Sequence, residues 1–316
     1  MSKNKNPNFM AMHLSFKNIF TWLGIGGLRF ISLLPYGFLM GLGNSIGNLI
    51  YKVSPHRKEI AKININKCLE LQGDELNKFV QSNFQAVGRG IFEMGIAWWA
   101  ADKKIKKIKT RIINRHLLEH QSEGALVLIK HSTHLELDLR LMSQFFDLTG
   151  MYKAQTNEVI NYVMIKARNK YIKGSLTNKE AMKAMRWIKS GENFIYAADQ
   201  DYGENVSEMV PFFGYDAATV TFPSIFSYKE IKILMADVSK VKDTYEIEIR
   251  EIDSLQNKED FLKNMNFLYE EYIRKEPEGY LWMHRRFKSG FEESIYPQWS
   301  SRERRRERRR SQRKKN

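Results

Sequence analysis

Apolar positions along the chain fall into three regimes. The first is a near-continuous run from Ile19 to Val53, interrupted by two charges, Arg29 and Lys52, with none between Phe30 and Tyr51. The second, residues 56 to 120, has apolar residues at helical spacing (Phe79, Phe84, Val87, Ile91, Met94) and predicts helix, with Trp98 and Trp99 ending that series. The third alternates short apolar runs with helical stretches. Ala125–Ile129, Asn193–Ala198 and Ile231–Ala236 read as buried strands, and Tyr245–Ile249 alternates as a half-exposed strand does. Lys179–Lys189 and Glu259–Lys275 read as helices. The implied fold class is α/β: a mixed, mostly parallel sheet flanked by helices on both faces, with an N-terminal apolar membrane-associating helix.

The N-terminal run admits three readings. About 20 apolar residues can cross a bilayer core as a helix. Pro35, the glycines, Asn44, Ser45 and Asn48 weaken that span. An apolar face beside basic residues favours a helix lying in the membrane interface. The third reading is a helical hairpin buried by the rest of the fold. Lys3, Lys5 and Lys17 precede the run and Lys52, Arg57 and Lys58 follow it, so charge sets no orientation. The run lacks the small-residue cleavage site of a signal peptide. Gly37–Gly41 and Gly43–Gly47 match the small-xxx-small spacing of close helix packing, a match chance also supplies in a segment so rich in glycine. Three units follow: a membrane-associating segment (1–53), an α/β domain (54–298) and a basic tail (299–316) that reads as disordered.

Charge then narrows the partners. The 316-residue chain carries +15, of which +8 lies between Arg302 and Lys315. Such a balance implies an acidic partner: nucleic acid, an anionic membrane or an acidic substrate. Nucleic-acid binding would call for basic residues interleaved with aromatics on a folded platform. This charge is a bare tail, so the expectation is no nucleic acid. The lysines at 103, 104, 106, 107 and 109 are either a solvated face or a membrane-facing patch. With Cys68 alone, the chain has no disulfide framework.

Candidate chemistry lies where the strong strands end. The first strand runs into Lys130-His131-Ser132-Thr133-His134-Leu135-Glu136-Leu137-Asp138, the second into Asp199-Gln200-Asp201-Tyr202-Gly203. Sites in open α/β sheets lie beyond such carboxyl ends. His131 and Glu136 are five apart. On one helix they would diverge by about 140°, so they meet only across a bend. A histidine oriented by a carboxylate is a general base. The competing readings are a capping histidine beside a surface charge, a metal site through His131, His134, Glu136 and Asp138, and a nucleophilic Ser132. The metal reading lacks the zincin spacing. Gly43-Asn44-Ser45-Ile46-Gly47 matches G-x-S-x-G, but in the apolar run with no strand before it.

His131 and Glu136 resemble the H-x4-D/E signature of the lysophospholipid/glycerolipid acyltransferase superfamily, and the Glu form resembles the late acyltransferases of lipid A biosynthesis. Further blocks resemble that family in order: Asp199-Gln200-Asp201-Tyr202-Gly203; Val210-Pro211-Phe212-Phe213-Gly214 with Ala217, Ala218 and Thr219; and Tyr280-Leu281-Trp282-Met283-His284-Arg285-Arg286-Phe287-Lys288. Arg168 stands where the family carries an arginine. The chain departs from the family at Cys68-Leu69-Glu70, Ala198 and Ser289-Gly290. The resemblance implies transfer of fatty acyl chains from acyl-carrier protein to hydroxyls of 3-hydroxyacyl chains on a lipid A precursor. It implies no acyl-enzyme, no cofactor and no metal, and work at the cytoplasmic face of the inner membrane of a Gram-negative bacterium, among its lipids. Within it, His131 is the general base, Glu136 its orienting partner, and Arg168 an oxyanion stabiliser or phosphate anchor. Asp199 and Asp201 would shape the site by holding Arg168 or backbone donors, and Arg285 and Arg286 would contact phosphate. An acceptor outside lipid A, a lysophospholipid or another glycolipid, is the alternative.

Overall fold

The computed structural model describes residues 16–119, 124–177, 180–229, 231–253, 257–291 and 293–297. The basic tail from 299 onward, together with Lys3 and Lys5, lies outside them.

The apolar run forms two helices, α1 (Phe16–Ile31) and α2 (Tyr36–Val53). Pro35 divides them. Its ring disfavours helix in the residue before it, and it sits as the N-cap of α2. Among the described residues no helix is long and apolar enough to cross a membrane. The single helix expected here is therefore two helices. α3 (Pro55–Leu69) follows with proline in its first turn and ends at Glu70 in the left-handed region. It buries Cys68, and burial pushes that thiol up.

α2 packs along α4 (Gly73–Trp99) at a glycine crossing. A methyl group on Gly88 would run into the backbone of Gly43 and Gly47, whereas Gly37 and Gly41 face open space. One of the two small-xxx-small patterns is thus a helix contact and the other is not. The two helices and the turn between them expose Phe20, Leu23, Phe30, Leu33, Phe38 and Leu49.

Beyond the short α5 (Asp102–Ile105) the predicted helix gives way to strand β1 (Thr110–Ile113) and a 3-10 turn at Arg115–Leu117. Thr110, Ile112 and Ile113 are β-branched, and pairing with a distant strand outweighs the local pattern. Then come β2 (Leu126–Ile129), α6 (Leu135–Met142), β3 (Leu148–Tyr152), α7 (Glu158–Arg168), β4 (Gly174–Thr177), α8 (Ala181–Lys189) and β5 (Asn193–Ala197). After them lie β6 (Ser207–Phe212), β7 (Tyr215–Val220), α9 (Phe222–Ser227), β8 (Ile233–Val241), β9 (Thr244–Glu251) and α10 (Lys258–Lys275).

Among the described residues the main sheet has the order β1-β9-β8-β2-β5-β3-β4. Its neighbours are parallel except β8 and β9. β6 and β7 form a separate antiparallel hairpin through the Val210-Pro211-Phe212-Phe213-Gly214 block. The α/β class and the mostly parallel sheet are as the alternation predicted.

β2 is buried on both sides. Leu126 and Leu128 join a core with Phe84, Ile188 and Phe261, while Val127 and Ile129 join another with Ile96, Leu137 and Leu141. This is the two-residue period of a strand between two helical layers. Each such side chain contributes roughly 1.5–3 kcal/mol on burial. β2 and β5 lie side by side with Ile129 opposite Ala197, so both open into one crevice at their carboxyl ends.

Candidate active site

Lys130, the first residue past β2, turns inward to pair with Asp237 of β8, and burial pushes its ammonium down. The following loop is pinned on two sides. On one, the carbonyl of Thr133 lies where a Cβ on Gly90 of α4 would stand. On the other runs the Tyr280–Arg286 segment. Thr133 N donates to Gly279 O (2.7 Å), Leu281 N donates to His131 O (3.0 Å), and Ser132 pairs with Tyr280 in a lone antiparallel bridge. That segment is itself held by amide side chains. Asn83 donates to the carbonyls of Glu278 and Tyr280 (both 2.8 Å), and Asn64 to those of Trp282 (2.7 Å) and His284 (2.6 Å).

Within this frame the His131 Nδ1 lies 2.5 Å from Asp199 Oδ1, and the His131 backbone N–H donates to Asp199 Oδ2 at 2.8 Å. Asp199 is fully buried and the His131 side chain is 21% exposed. Burial alone would raise the Asp199 carboxyl. The adjacent imidazole charge and the two hydrogen bonds outweigh it and hold the group below its ordinary value. The carboxylate thus fixes the proton on Nδ1 and leaves Nε2 as the ring nitrogen that can accept another.

Glu136 has other partners. Its carboxylate accepts from Trp98 Nε1 (2.8 Å), Arg168 Nε (3.1 Å), Arg168 Nη2 and Tyr171 OH (3.3 Å). The expectation that Glu136 orients His131 is corrected: Asp199 does. The bend between the two residues separates them, because Glu136 lies in the first turn of α6 facing α4 and α7, while His131 faces β5. The expectation that Asp199 holds Arg168 falls with it. Burial disfavours the Arg168 charge, but Glu136 overcomes that and holds its pKa up. Arg168 Nη1 has no hydrogen bond to a described residue. Sequence reasoning missed Trp98 and Tyr171. A buried indole needs an acceptor for its N–H, and that was the available signal for Trp98; Tyr171 offered none.

Asp201 accepts from the backbone of Gly203 (2.8 Å) and Ser289 (2.9 Å), so it holds backbone donors and not Arg168. Its own N–H donates to His284 Nε2 at 3.1 Å. Burial, and then the nearby His131 charge, push His284 down to about 3, so it stays a neutral acceptor. The two arginines expected at phosphate are structural. Arg286 is buried, donates to Ala218 O (2.7 Å) and Thr219 Oγ1 (3.0 Å), and lies over Phe212. Arg285 bonds Pro297 O (2.8 Å) and His56 (3.1 Å). Their guanidiniums tie the C-terminal segment to β7 and α3, a use that spacing does not reveal.

Ser132 is buried and donates to Asp138, which also holds His134 Nδ1 at 2.6 Å. Burial opposes a charge on His134, but Asp138 and Glu276 together hold it protonated. Ser132 therefore belongs to this buried network. Among the described residues no three His, Cys, Asp or Glu side chains gather as a metal site.

The family model for the bacterial lipid A biosynthesis acyltransferases matches residues 7–289. The chain belongs to this family. It is 31% identical to a lipid A biosynthesis lauroyltransferase of Escherichia coli over 90% of this chain and 96% of that one. It is 29% identical to a lipid A biosynthesis acyltransferase of Haemophilus influenzae over 92% of this chain and 96% of that one. A palmitoleoyltransferase of Escherichia coli is 28% identical, over 85% and 91%. This lipid A acyltransferase carries the His131–Asp199 pair beyond β2 and β5, and the Glu136–Arg168 clamp between α6 and α7.

Proposed function

We propose that the chain transfers a fatty acyl group from an acyl-carrier-protein thioester to a hydroxyl of a 3-hydroxyacyl chain on a lipid A precursor, with His131 as general base. Nε2 removes the proton as the hydroxyl oxygen attacks the thioester carbonyl. The tetrahedral intermediate collapses, the C–S bond breaks, and the imidazolium returns its proton to the departing thiolate. Products are an ester and a free thiol, with neither cofactor nor acyl-enzyme required. Asp199 keeps the ring in the right tautomer and stabilises its transient charge. Arg168, held by Glu136 with Nη1 unengaged, is suited to stabilise the developing oxyanion. The observation that carries this reading is the His131 Nδ1–Asp199 contact, which aims a free Nε2 outward from a strand end.

The exposed apolar residues of α1 and α2 support work at a membrane surface, at the cytoplasmic side of the inner membrane where carrier protein is available. A basic surface assists encounter with an acidic carrier protein and a phosphorylated lipid. The test is transfer by the purified protein from a radiolabelled acyl-carrier-protein thioester to lipid A precursor, read by mass spectrometry. The expected product gains one acyl mass per transfer and loses one hydroxyl to ester. Transfer from the coenzyme A thioester alone would remove the proposed donor. Transfer to lysophospholipid but not to the precursor would remove the acceptor.

A further inference from the structure

A second cavity, of about 450 Å³, opens between α1 and α7. It stands behind the Glu136–Arg168 clamp. Trp99 in its wall follows Trp98, which donates to Glu136, and Ala167 in its wall precedes Arg168. The size suits a sugar-sized or larger ligand. Its walls include Trp22, Ile25, Trp99, Tyr162 and Val163, and its cations are Arg29, Lys166 and Lys170. All three cations are exposed, and among the described residues no carboxylate lines the cavity. Lys166 lies 5.7 Å from the centre of the Tyr162 ring; none of the three has an ion pair with a described residue.

Cations at helix C-termini are common because they offset the dipole, and this cavity is where α1 and α7 end. Each helix end supplies only about half a negative charge. Two ends leave roughly two of the three positive charges uncompensated, close to the charge of one phosphate, about −1.5 to −2 at neutral pH. Aromatic and aliphatic walls below a rim of cations match a molecule with an apolar body and a phosphate. The geometry points to a binding site for the phosphorylated sugar of the lipid acceptor, with its phosphate among Arg29, Lys166 and Lys170. This rests on the acyl-transfer reading above and adds a recognition element to it. Held there, the acceptor has its sugar on one side of the clamp and its chains along the exposed apolar residues of α1 and α2.

The test is steady-state kinetics of the full-length enzyme and the variant Arg29→Ala/Lys166→Ala/Lys170→Ala, using the phosphorylated acceptor and its phosphatase-treated form. Thermal unfolding of both proteins checks the fold. The variant is expected to raise KM for the phosphorylated acceptor roughly 30-fold, with kcat and donor KM within about 2-fold, since charged hydrogen bonds to phosphate are the terms removed. Removing the phosphate should cost the wild type a similar factor and the variant almost nothing. Equal phosphate dependence in both proteins overturns the assignment. A rise in donor KM instead overturns it in favour of a phosphate on the donor arm. Unchanged kinetics with weaker sedimentation on phosphatidylglycerol vesicles overturns it in favour of a bilayer lipid. No transfer by the wild type to either acceptor would sink the function itself, a result distinct from all of these.

Discussion

Two carboxylates near the end of β2 hold different partners. Asp199 is fully buried, touches His131 through side chain and backbone, and sits directly beyond β5. Glu136 is 15% exposed and gathers an arginine, an indole and a phenol from α4, α7 and the turn after α7. The first arrangement sets a proton's position, and the second sets a cation's position. Residues adjacent in a sequence motif can thus serve separate networks, because the strand-to-helix bend points them at different elements.

The sharpest break in this comparison is at the base. His131→Ala should lower kcat by about 10³ or more, and Asp199→Asn by about 10²–10⁴ with acceptor KM little moved, since the tautomer is lost while the shape remains. If Asp199→Asn kept full kcat while Glu136→Gln alone abolished it, the division of roles would be overturned.

A double-mutant cycle sharpens the point. Glu136 and Arg168 should couple by about 1–3 kcal/mol in thermal unfolding, whereas His131 and Glu136 should couple by less than about 0.5 kcal/mol. Comparable coupling in both pairs would mean the networks are one.

Next comes the support beneath the loop. Gly90→Ala should cost about 1–3 kcal/mol of stability, because its methyl meets the Thr133 carbonyl. It should also lower kcat, as His131 lies two residues away; Gly37→Ala, in open space, should do neither.

The smallest effect concerns acid. The Asp199 carboxyl is depressed in the folded state, so its contribution is fully present above an ordinary carboxylate pKa near 4. It is lost as pH falls through the lower folded value. Thermal unfolding followed downward from pH 5 should therefore fall more shallowly for Asp199→Asn than for the wild type. An identical slope would remove Asp199 from the acid response.

Local pattern carried much of this molecule. Period-two burial of β2, the alternation of strands with helices, and two polar clusters at strand ends were legible because they depend on neighbouring residues. The position of His131 just past the end of β2 was legible for the same reason. The break at Pro35 was half legible: the proline was visible, but the long apolar run argued for one helix.

What tertiary structure alone decided was partnership. Hydrogen bonds between residues 68 apart in sequence (His131 and Asp199) or 32 apart (Glu136 and Arg168) depend on which strands and helices become neighbours. Arg286 looked like a phosphate ligand until the β6–β7 hairpin enclosed it. Sequence determined the fold class, the family and the place of His131 just beyond β2. The packing of β2 beside β5, and of α6 against α4, determined which carboxylate meets His131, because a side chain's partner is fixed by direction in space and spacing along a chain records only distance.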